Sequence, residues 1–344
     1  MTDSTRDIKS LDLHGIQSAL SDLGQPAFRV RQVVRWLYGR GVARFDEMTD
    51  LPGALRAELA ARYSLGRASL SAKEVSADGT RKYLWALHDG TTVESVGIPA
   101  GDRLTVCFST QAGCGMGCTF CATGQSGLTR NLTPGEIADQ VLGVAADMAA
   151  RVSNAVAMGQ GEPFANYEPT LAALRFMNSP DGMGIGARHL TVSTCGLLPG
   201  IRRFSAEPEQ FTLAVSLHSA VQATRDAMMP GLKGYPIGQL RETLAMYGVR
   251  TGRRPTLEYA LVADTNDSDA ELAALVTFCR GLLCHVNLIP VNPVEGSGAR
   301  RPDYSRLKAF ETALASANVE CSVRTERGAD ISAACGQLRQ RHLA

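Results

Sequence analysis

The chain has 344 residues, 44% hydrophobic and 20% charged, a composition typical of a globular protein with a sizeable core. Its net charge is +1, so any binding to nucleic acid would depend on local basic patches. No apolar run approaches the length of a membrane span, and the first residues lack the apolar core of a signal peptide. The nine cysteines, an odd number, predict a reducing cytoplasm rather than a disulfide framework.

Residues 1–70 are predicted to form a small helical domain. Apolar residues recur at helical spacing in 11–23, 30–38 and 55–63. Around the second segment, the stretch between Asp22 and Asp46 contains no acid, two aromatic residues near its centre (Trp36 and Tyr38) and several arginines: Arg29, Arg31, Arg35, Arg40 and Arg44. Such a segment suits the binding of RNA phosphates, but it is equally typical of an amphipathic helix whose tryptophan belongs to the core. The sequence leaves both interpretations open.

Residues 71–99 are predicted to form a short β linker. Two strand-like runs, 82–87 and 91–96, flank Asp89-Gly90, and this dipeptide is a common hairpin turn.

From residue 100 to 330 strands and helices alternate, which indicates parallel strands joined by crossover helices. The predicted strands are 105–109, 155–158, 189–194, 211–217, 256–261, 285–290 and 320–323. The predicted helices include 134–148, 169–177, 237–247, 269–282 and 304–317. About six repeats fall short of the eight of a closed barrel. The predicted fold is therefore α/β, a partial, open (β/α)6 barrel, followed by a C-terminal segment at 331–344.

Cys114, Cys118 and Cys121 lie in a glycine-rich loop after the first barrel strand, with the spacing C-x3-C-x2-C. Four thiolates complete the ligand set of a [4Fe–4S] cluster, whereas three leave one iron open. S-adenosylmethionine (SAM) can chelate that iron through its amine and carboxylate, and this spacing is the radical-SAM signature. A zinc knuckle is the alternative, but zinc needs a fourth ligand and the nearest histidines, His88 and His189, lie far along the chain.

Polar residues also follow the other predicted strands, where ligands of parallel α/β proteins bind. They are Gly161 and Glu162 after the second strand, Ser193 at the third, Ser216 and His218 at the fourth, and Asn292 after the sixth. Each alone is typical of a helix cap or turn, and their shared placement is what favours a ligand site. Glu162 could receive an ammonium group.

Two more cysteines stand out by position, Cys107 on the first barrel strand and Cys335 in the C-terminal segment. The remaining ones, Cys195, Cys279, Cys284 and Cys321, are interpreted as small apolar residues.

Several motifs in this order resemble the RlmN/Cfr family of radical-SAM RNA methyltransferases over nearly the whole chain. The motifs are residues 107–121, 158–163, 216–218, 285–293 and 330–337. The resemblance implies that Cys114, Cys118 and Cys121 hold a [4Fe–4S] cluster. It implies that SAM contacts the following residues: Gly161, Glu162, Ser193, Ser216, Leu217, His218 and Asn292. Cys335 would carry the methyl group, Cys107 would resolve the intermediate, and Glu94 would accept a proton.

The family acts on adenine in RNA: on C2 of adenine 2503 in 23S rRNA and of adenine 37 in certain tRNAs for RlmN, and on C8 of the same rRNA base for Cfr. C2 has no available lone pair with which to displace a methyl group, whereas a thiolate can. The resemblance thus implies methyl transfer to Cys335, a second SAM cleaved to a radical, addition of the methyl carbon to the base, and release by a Cys107–Cys335 disulfide.

The motifs shared by both subfamilies cannot decide between C2 and C8. Residues 46–50 and 186–189 look more RlmN-like, so C2 is the prediction, in rRNA and also in tRNA. The remaining expectations are a flavodoxin- or ferredoxin-type electron donor, a monomer and no membrane association. A non-catalytic iron–sulfur RNA-binding protein remains the alternative from another class.

Overall fold

The computed structural model describes residues 6–291, 298–324, 327–328 and 330–331. The helices are α1 (Leu13–Ser21), α2 (Phe28–Val34), α3 (Gly53–Arg62), α4 (Ala122–Gln125), α5 (Pro134–Met148), α6 (Tyr167–Asn178), α7 (Leu198–Phe204), α8 (Gln222–Met228), α9 (Ile237–Thr251), α10 (Asp269–Cys279) and α11 (Tyr304–Ser316). The strands are β1 (Arg6–Asp7), β2 (Tyr63–Ser64), β3 (Ser69–Val75), β4 (Arg81–Ala86), β5 (Thr92–Ala100), β6 (Arg103–Cys107), β7 (Gln111–Gly113), β8 (Leu128–Asn131), β9 (Asn154–Ala157), β10 (Leu190–Thr194), β11 (Thr212–Ser216), β12 (Thr256–Leu261), β13 (His285–Pro290) and β14 (Glu320–Val323). Within the described residues, no helix has both the length and the apolar character that a bilayer span requires.

The N-terminal helices α1–α3 form where helical periodicity predicts them. Helix α2 continues into a π-helical turn at Arg35–Gly39. The Trp36 side chain in this turn is buried, and its Nε1 donates to Asp50 Oδ1 at 2.5 Å. Arg31 and Arg35 pair with Asp181, just after α6, at 2.7 and 2.6 Å. The tryptophan therefore belongs to the core, and two of the arginines attach this region to the barrel. A role of the arginine-rich stretch in binding RNA stays a prediction.

The main sheet has ten strands in the order β14-β13-β12-β11-β10-β9-β6-β5-β4-β3. From β6 to β14 all neighbours are parallel, as the strand–helix alternation predicts, whereas β3, β4 and β5 are antiparallel additions at one end. The predicted hairpin is present, with β4 paired to β5 across the Asp89-Gly90 turn. The predicted linker strands thus extend the same sheet as the barrel strands, while the domain boundaries themselves remain a prediction.

One face of the parallel part is apolar and the other carries polar residues. Leu257 and Tyr259 on β12 are fully buried in the hydrophobic core. Glu258 and Ala260, between and beyond them, line a cavity on the opposite face. Because side chains alternate between the two faces, the polar residues lie on the concave face of the sheet.

The C-terminal end of β14 shows that the sheet is strongly curved. The Arg324 amide donates to Leu288 O at 2.8 Å, so Arg324 still lies beside β13. Asp330, six residues later, accepts hydrogen bonds from Ser76 Oγ and from the Ala77 amide, just after β3 at the other end of the sheet. Six residues span at most about 22 Å, whereas a flat sheet of this width would separate its ends by about 40 Å. The two ends must therefore approach each other, as in the partial barrel that the sequence predicts.

Candidate functional site

A cavity of about 320 Å³ lies on the polar face of the sheet at the carboxyl ends of the parallel strands. Its walls include eight of the residues that the sequence singles out: Cys114, Cys118, Cys121, Gly161, Glu162, Ser193, Ser216 and His218. Residues far apart in the sequence thus meet at one place, as expected for ligand sites in parallel α/β sheets.

The cysteine loop is held in a tight backbone fold that larger residues would disrupt. Strands β7 and β8 pair beside it, and the Cys114 amide donates to Gly127 O at 2.8 Å. Gly113 has φ +79°, and a Cβ there would lie 2.1 Å from Gly127 O. A Cβ at Gly124 would lie 2.8 Å from the Cys118 amide nitrogen. The loop therefore depends on glycine to bring three sulfurs to one wall of the cavity.

The thiols of this loop differ in their surroundings. Burial raises the pKa of Cys114 to about 11. A hydrogen bond with the Cys195 side chain lowers the pKa of Cys118 and raises that of Cys195. The three thiols of the loop suit three of the four irons of a [4Fe–4S] cluster and leave one iron open, while the Cys195 thiol lies within hydrogen-bonding reach of Cys118. In the described part of the chain, no three His, Cys, Asp or Glu side chains form a group suited to a single metal ion.

The loop after β9 also requires glycine. A Cβ at Gly159 would lie 2.7 Å from the Phe108 carbonyl carbon. Gly161 has φ +103°, and a Cβ there would lie 2.7 Å from the Gln111 amide nitrogen. The Gln160 carbonyl between them accepts from the Thr110 and Gln111 amides at 2.8 and 3.2 Å. These contacts fasten the loop to the start of the cysteine loop and aim the next residue, Glu162, into the cavity.

Glu162 is a buried carboxylate with a fixed orientation. Its Oε1 accepts from Thr194 Oγ1 at 2.7 Å and from the Phe164 amide at 2.9 Å, and its Oε2 accepts from the Cys195 amide at 2.6 Å. Burial raises its pKa, and these hydrogen bonds oppose that rise. A cationic ligand group in the cavity would therefore gain from a charge that the protein has already oriented.

Ser216, Leu217 and His218 end β11 in different environments. Ser216 lines the cavity, whereas Leu217 is fully buried and its amide donates to Glu258 O at 2.9 Å. His218 has φ +54°, and its Nδ1 accepts from the Ala260 amide at 2.9 Å. Burial lowers the pKa of His218 to about 3, so the ring is neutral at physiological pH and carries its proton on Nε2.

Strand register places Cys107 on the cavity side of the sheet. Cys107 pairs with Val156, and Val156 pairs with Thr191, which lies two residues before Ser193. Paired residues of neighbouring strands share a face, as do alternate residues of one strand. Cys107 and the cavity-lining Ser193 therefore lie on the same face, and Cys107 is 8% exposed.

Glu94 belongs to the same face through the hairpin. Val96 pairs with Cys107 across β5 and β6, and Glu94 lies two residues before Val96. Lys82 pairs with Val96 from β4, and its Nζ lies 3.2 Å from Glu94 Oε2. Both side chains are almost completely buried, so this ion pair stands beside Cys107 out of contact with bulk water.

The sequence reasoning missed several residues of the site. Glu258 lines the cavity, and its signal was a lone acid in the middle of an apolar strand. Lys82 was visible as the only cation of the predicted strand 82–87. Three arginines, Arg301, Arg324 and Arg327, also line the cavity. Asn292 and Cys335, both predicted to act here, lie outside the described residues.

Comparison with known proteins agrees with this geometry. Residues 6–65 match the ribosomal RNA large subunit methyltransferase N-terminal domain, and residues 108–273 match the Radical SAM superfamily. A probable dual-specificity RNA methyltransferase RlmN of Pelotomaculum thermopropionicum is 46% identical over 97% of this chain and 91% of its own length. One of the same name from Gloeobacter violaceus is 48% identical over 93% and 91%.

A solved structure is similar over the same extent. The crystal structure of a radical SAM methyltransferase from Sphaerobacter thermophilus matches with a TM-score of 0.90 and 44% identity, covering 96% of this chain and 98% of the other. The family predicted from the motifs and the α/β fold class predicted from the strand–helix alternation are thereby confirmed. The chain belongs to the RlmN family of radical SAM RNA methyltransferases.

Proposed function

We propose that the protein methylates C2 of an adenine in 23S rRNA and of an adenine in tRNA, with Cys335 as the carrier of the methyl group. The observation that carries the proposal is the strand register, which puts Cys107 and Glu94 on the face of the sheet where the three loop cysteines and Glu162 meet. The similar RlmN proteins are named dual-specificity RNA methyltransferases, which supports two RNA substrates for this chain as well.

Cys114, Cys118 and Cys121 would hold the [4Fe–4S] cluster, and the glycine contacts of their loop fit that role. When bound, the cluster supplies the electron that cleaves SAM reductively to a 5′-deoxyadenosyl radical. The neighbouring walls would bind SAM through its polar groups. Glu162 suits the amine of SAM, while Ser193, Ser216 and the neutral His218 offer hydrogen-bonding groups.

Glu94 is proposed to accept the C2 proton of the adenine. Lys82, whose ammonium group lies 3.2 Å from the Glu94 carboxylate, is proposed to hold that carboxylate in place. Cys107, on the neighbouring strand, is proposed to form a disulfide with Cys335 that frees the methylated RNA. Proton removal and thiol exchange would then occur on adjacent strands.

The target adenine has to leave its stack to reach the cavity. Arg301, Arg324 and Arg327 line the cavity and are proposed to contact the phosphates beside the extruded nucleotide. The arginine-rich stretch around α2 is proposed to contact RNA farther from the site. The further expectations, a flavodoxin- or ferredoxin-type donor, a cytoplasmic location and a monomeric state, belong to the same proposal.

The direct test is anaerobic reconstitution with iron, sulfide, SAM, reductant and an RNA fragment, followed by mass spectrometry of the nucleosides. The expected product is 2-methyladenosine. A product methylated only at C8, or cluster-loaded protein that forms no methylated adenosine, would contradict the proposal.

Two variants test the cysteine roles. Cys335→Ala should abolish turnover without changing the cluster content, and Cys107→Ala should accumulate a covalent protein–RNA adduct. A Cys335→Ala protein with wild-type activity would support the alternative of a protein that acts without methyl transfer.

A further inference from the structure

Arg225 on α8 is a buried charge that the proposed chemistry does not use. Its side chain is fully buried and does not line the cavity, so it cannot touch a ligand there. Its Nη2 donates to Cys195 O at 2.7 Å and to Ser216 O at 3.4 Å. The guanidinium group therefore bridges the ends of β10 and β11 from behind the cavity wall.

The protein alone leaves the charge of Arg225 poorly compensated. Both acceptors are neutral carbonyl groups, and Arg225 Nε has no hydrogen-bond partner. Among the described residues, no carboxylate forms a salt bridge with it. The groups near enough to stabilise its charge are the Cys195 and Cys118 sulfurs and Asp226. Burying an unpaired charge costs several kcal/mol unless an anion lies near. A negative charge on the side of Arg225 that faces the cysteines would therefore stabilise the buried guanidinium group.

Cys195 connects Arg225 to the cysteine loop. Its carbonyl accepts from Arg225, its amide donates to Glu162, and its side chain is hydrogen-bonded to the Cys118 sulfur. The contacts at both its amide and its carbonyl fix the backbone of this residue. The thiol, which the sequence predicts to be a small apolar side chain, is thus held where it can donate to a ligand sulfur.

A [4Fe–4S] cluster with three thiolates carries a net negative charge, which increases by one when the cluster is reduced. A nearby cation and a hydrogen bond to a ligand sulfur both stabilise the more negative state, and such contacts set the potentials of iron–sulfur clusters. We propose that Arg225 and Cys195 together form the counter-charge of the cluster and raise its reduction potential, so that it accepts the electron needed to cleave SAM. This inference rests on the proposed function, since it requires the cluster at Cys114, Cys118 and Cys121.

The measurement is a redox titration of the reconstituted cluster without RNA, followed by electron paramagnetic resonance. Arg225→Gln should shift the midpoint to a more negative potential, while Arg225→Lys, which keeps the charge, should stay near the wild-type value. Cys195→Ala should shift the potential in the same direction as Arg225→Gln. Cys195→Ser keeps a hydrogen-bond donor, so its midpoint potential should lie close to the wild-type value.

Arg241→Gln is the matched control. Arg241 also donates to two backbone carbonyls, Phe278 O at 2.9 Å and Arg280 O at 2.6 Å, but it does so beside the end of α10. Its loss should not change the potential.

The outcomes separate this inference from the proposed function. If Arg225→Gln and Cys195→Ala both have the wild-type potential and full cluster content, the proposal that these two residues raise the reduction potential is wrong. If Arg225→Gln does not retain a cluster, a wild-type potential in Cys195→Ala alone overturns it. A wild-type protein that binds no [4Fe–4S] cluster would instead contradict the proposed function.

Discussion

Replacing one partner of the buried Lys82–Glu94 pair is expected to destabilise the fold much more than replacing both. The side chains are 0% and 4% exposed, and Nζ lies 3.2 Å from the carboxylate. Removing one member of such a pair leaves a buried charge and typically costs about 3–5 kcal/mol. Lys82→Met and Glu94→Gln should each fall in that range, whereas the double variant should cost less than their sum by about 2–3 kcal/mol.

Urea unfolding of the four metal-free proteins, followed by circular dichroism, measures this coupling energy. The exposed pair Lys308–Glu311, with nitrogen and oxygen 2.7 Å apart, is the matched control. The double-mutant cycle of this exposed pair should give a coupling energy of no more than about 0.5 kcal/mol, as is usual for exposed pairs. A coupling below about 0.5 kcal/mol for Lys82 and Glu94 would refute the view that the two charges depend on each other.

Variants of Lys82 also test the proposed role of the Lys82–Glu94 pair in catalysis. If Lys82 holds the Glu94 carboxylate in place for proton removal, the Lys82→Met protein should still transfer the methyl group to RNA but release the product slowly. A protein–RNA adduct should then accumulate on a denaturing gel. Lys82→Arg keeps the charge and should restore release. An adduct level equal to that of the wild type in Lys82→Met would contradict the proposed role of the pair.

The remaining predictions concern the loops around the cavity. Gly161→Ala should destabilise the protein by about 2–4 kcal/mol in urea unfolding, because it combines a positive φ with a Cβ 2.7 Å from a backbone nitrogen. Gly234→Ala is the control, because Gly234 also has a positive φ, +100°, but a Cβ there would meet open space. Its free energy of unfolding should fall only by the cost of the strained backbone conformation. Asp330→Asn weakens the hydrogen bonds that Asp330 accepts from Ser76 and Ala77, and Asp330 directly precedes the C-terminal segment proposed to carry the methyl group. The variant should therefore raise the ratio of 5′-deoxyadenosine to methylated adenosine. Arg324→Gln and Arg327→Gln should weaken RNA binding and reduce its dependence on salt, which filter binding at several salt concentrations measures.

The parallel part of the fold was predictable because its signals are local. Runs of β-branched and apolar residues between turn residues gave β12, β13 and β14 at the bounds that the structure has. The seven-residue helices α7 and α8 were not predicted, since two turns of helix show little periodicity. The union of β3–β5 with the barrel sheet was not predicted either, because it depends on pairing between β5 and β6.

The same distinction holds for the site. The cysteines of the loop share one short motif, so the sequence places them together. Arg225 lies 30 residues from its acceptor Cys195, and no pattern along the chain links them. The partner of Glu94 could not be read from the sequence either. A two-residue turn at Asp89-Gly90 would pair residue 82 with residue 97, whereas the loop has three residues, 88–90, and pairs Lys82 with Val96, diagonally opposite Glu94.

Two neighbouring parts of the sheet divide the proposed reaction between them. The parallel strands β9–β11 and their loops present Glu162, Ser193 and Ser216, which face the cysteine loop and suit the binding of SAM. The junction of β5 and β6 presents Glu94 and Cys107, which suit the later steps on RNA. Because the strands β4 and β5 are added to the barrel beyond β6, their side chains can change without altering the walls that are proposed to bind SAM. Substitutions in this hairpin should therefore affect product release and leave the formation of 5′-deoxyadenosine intact.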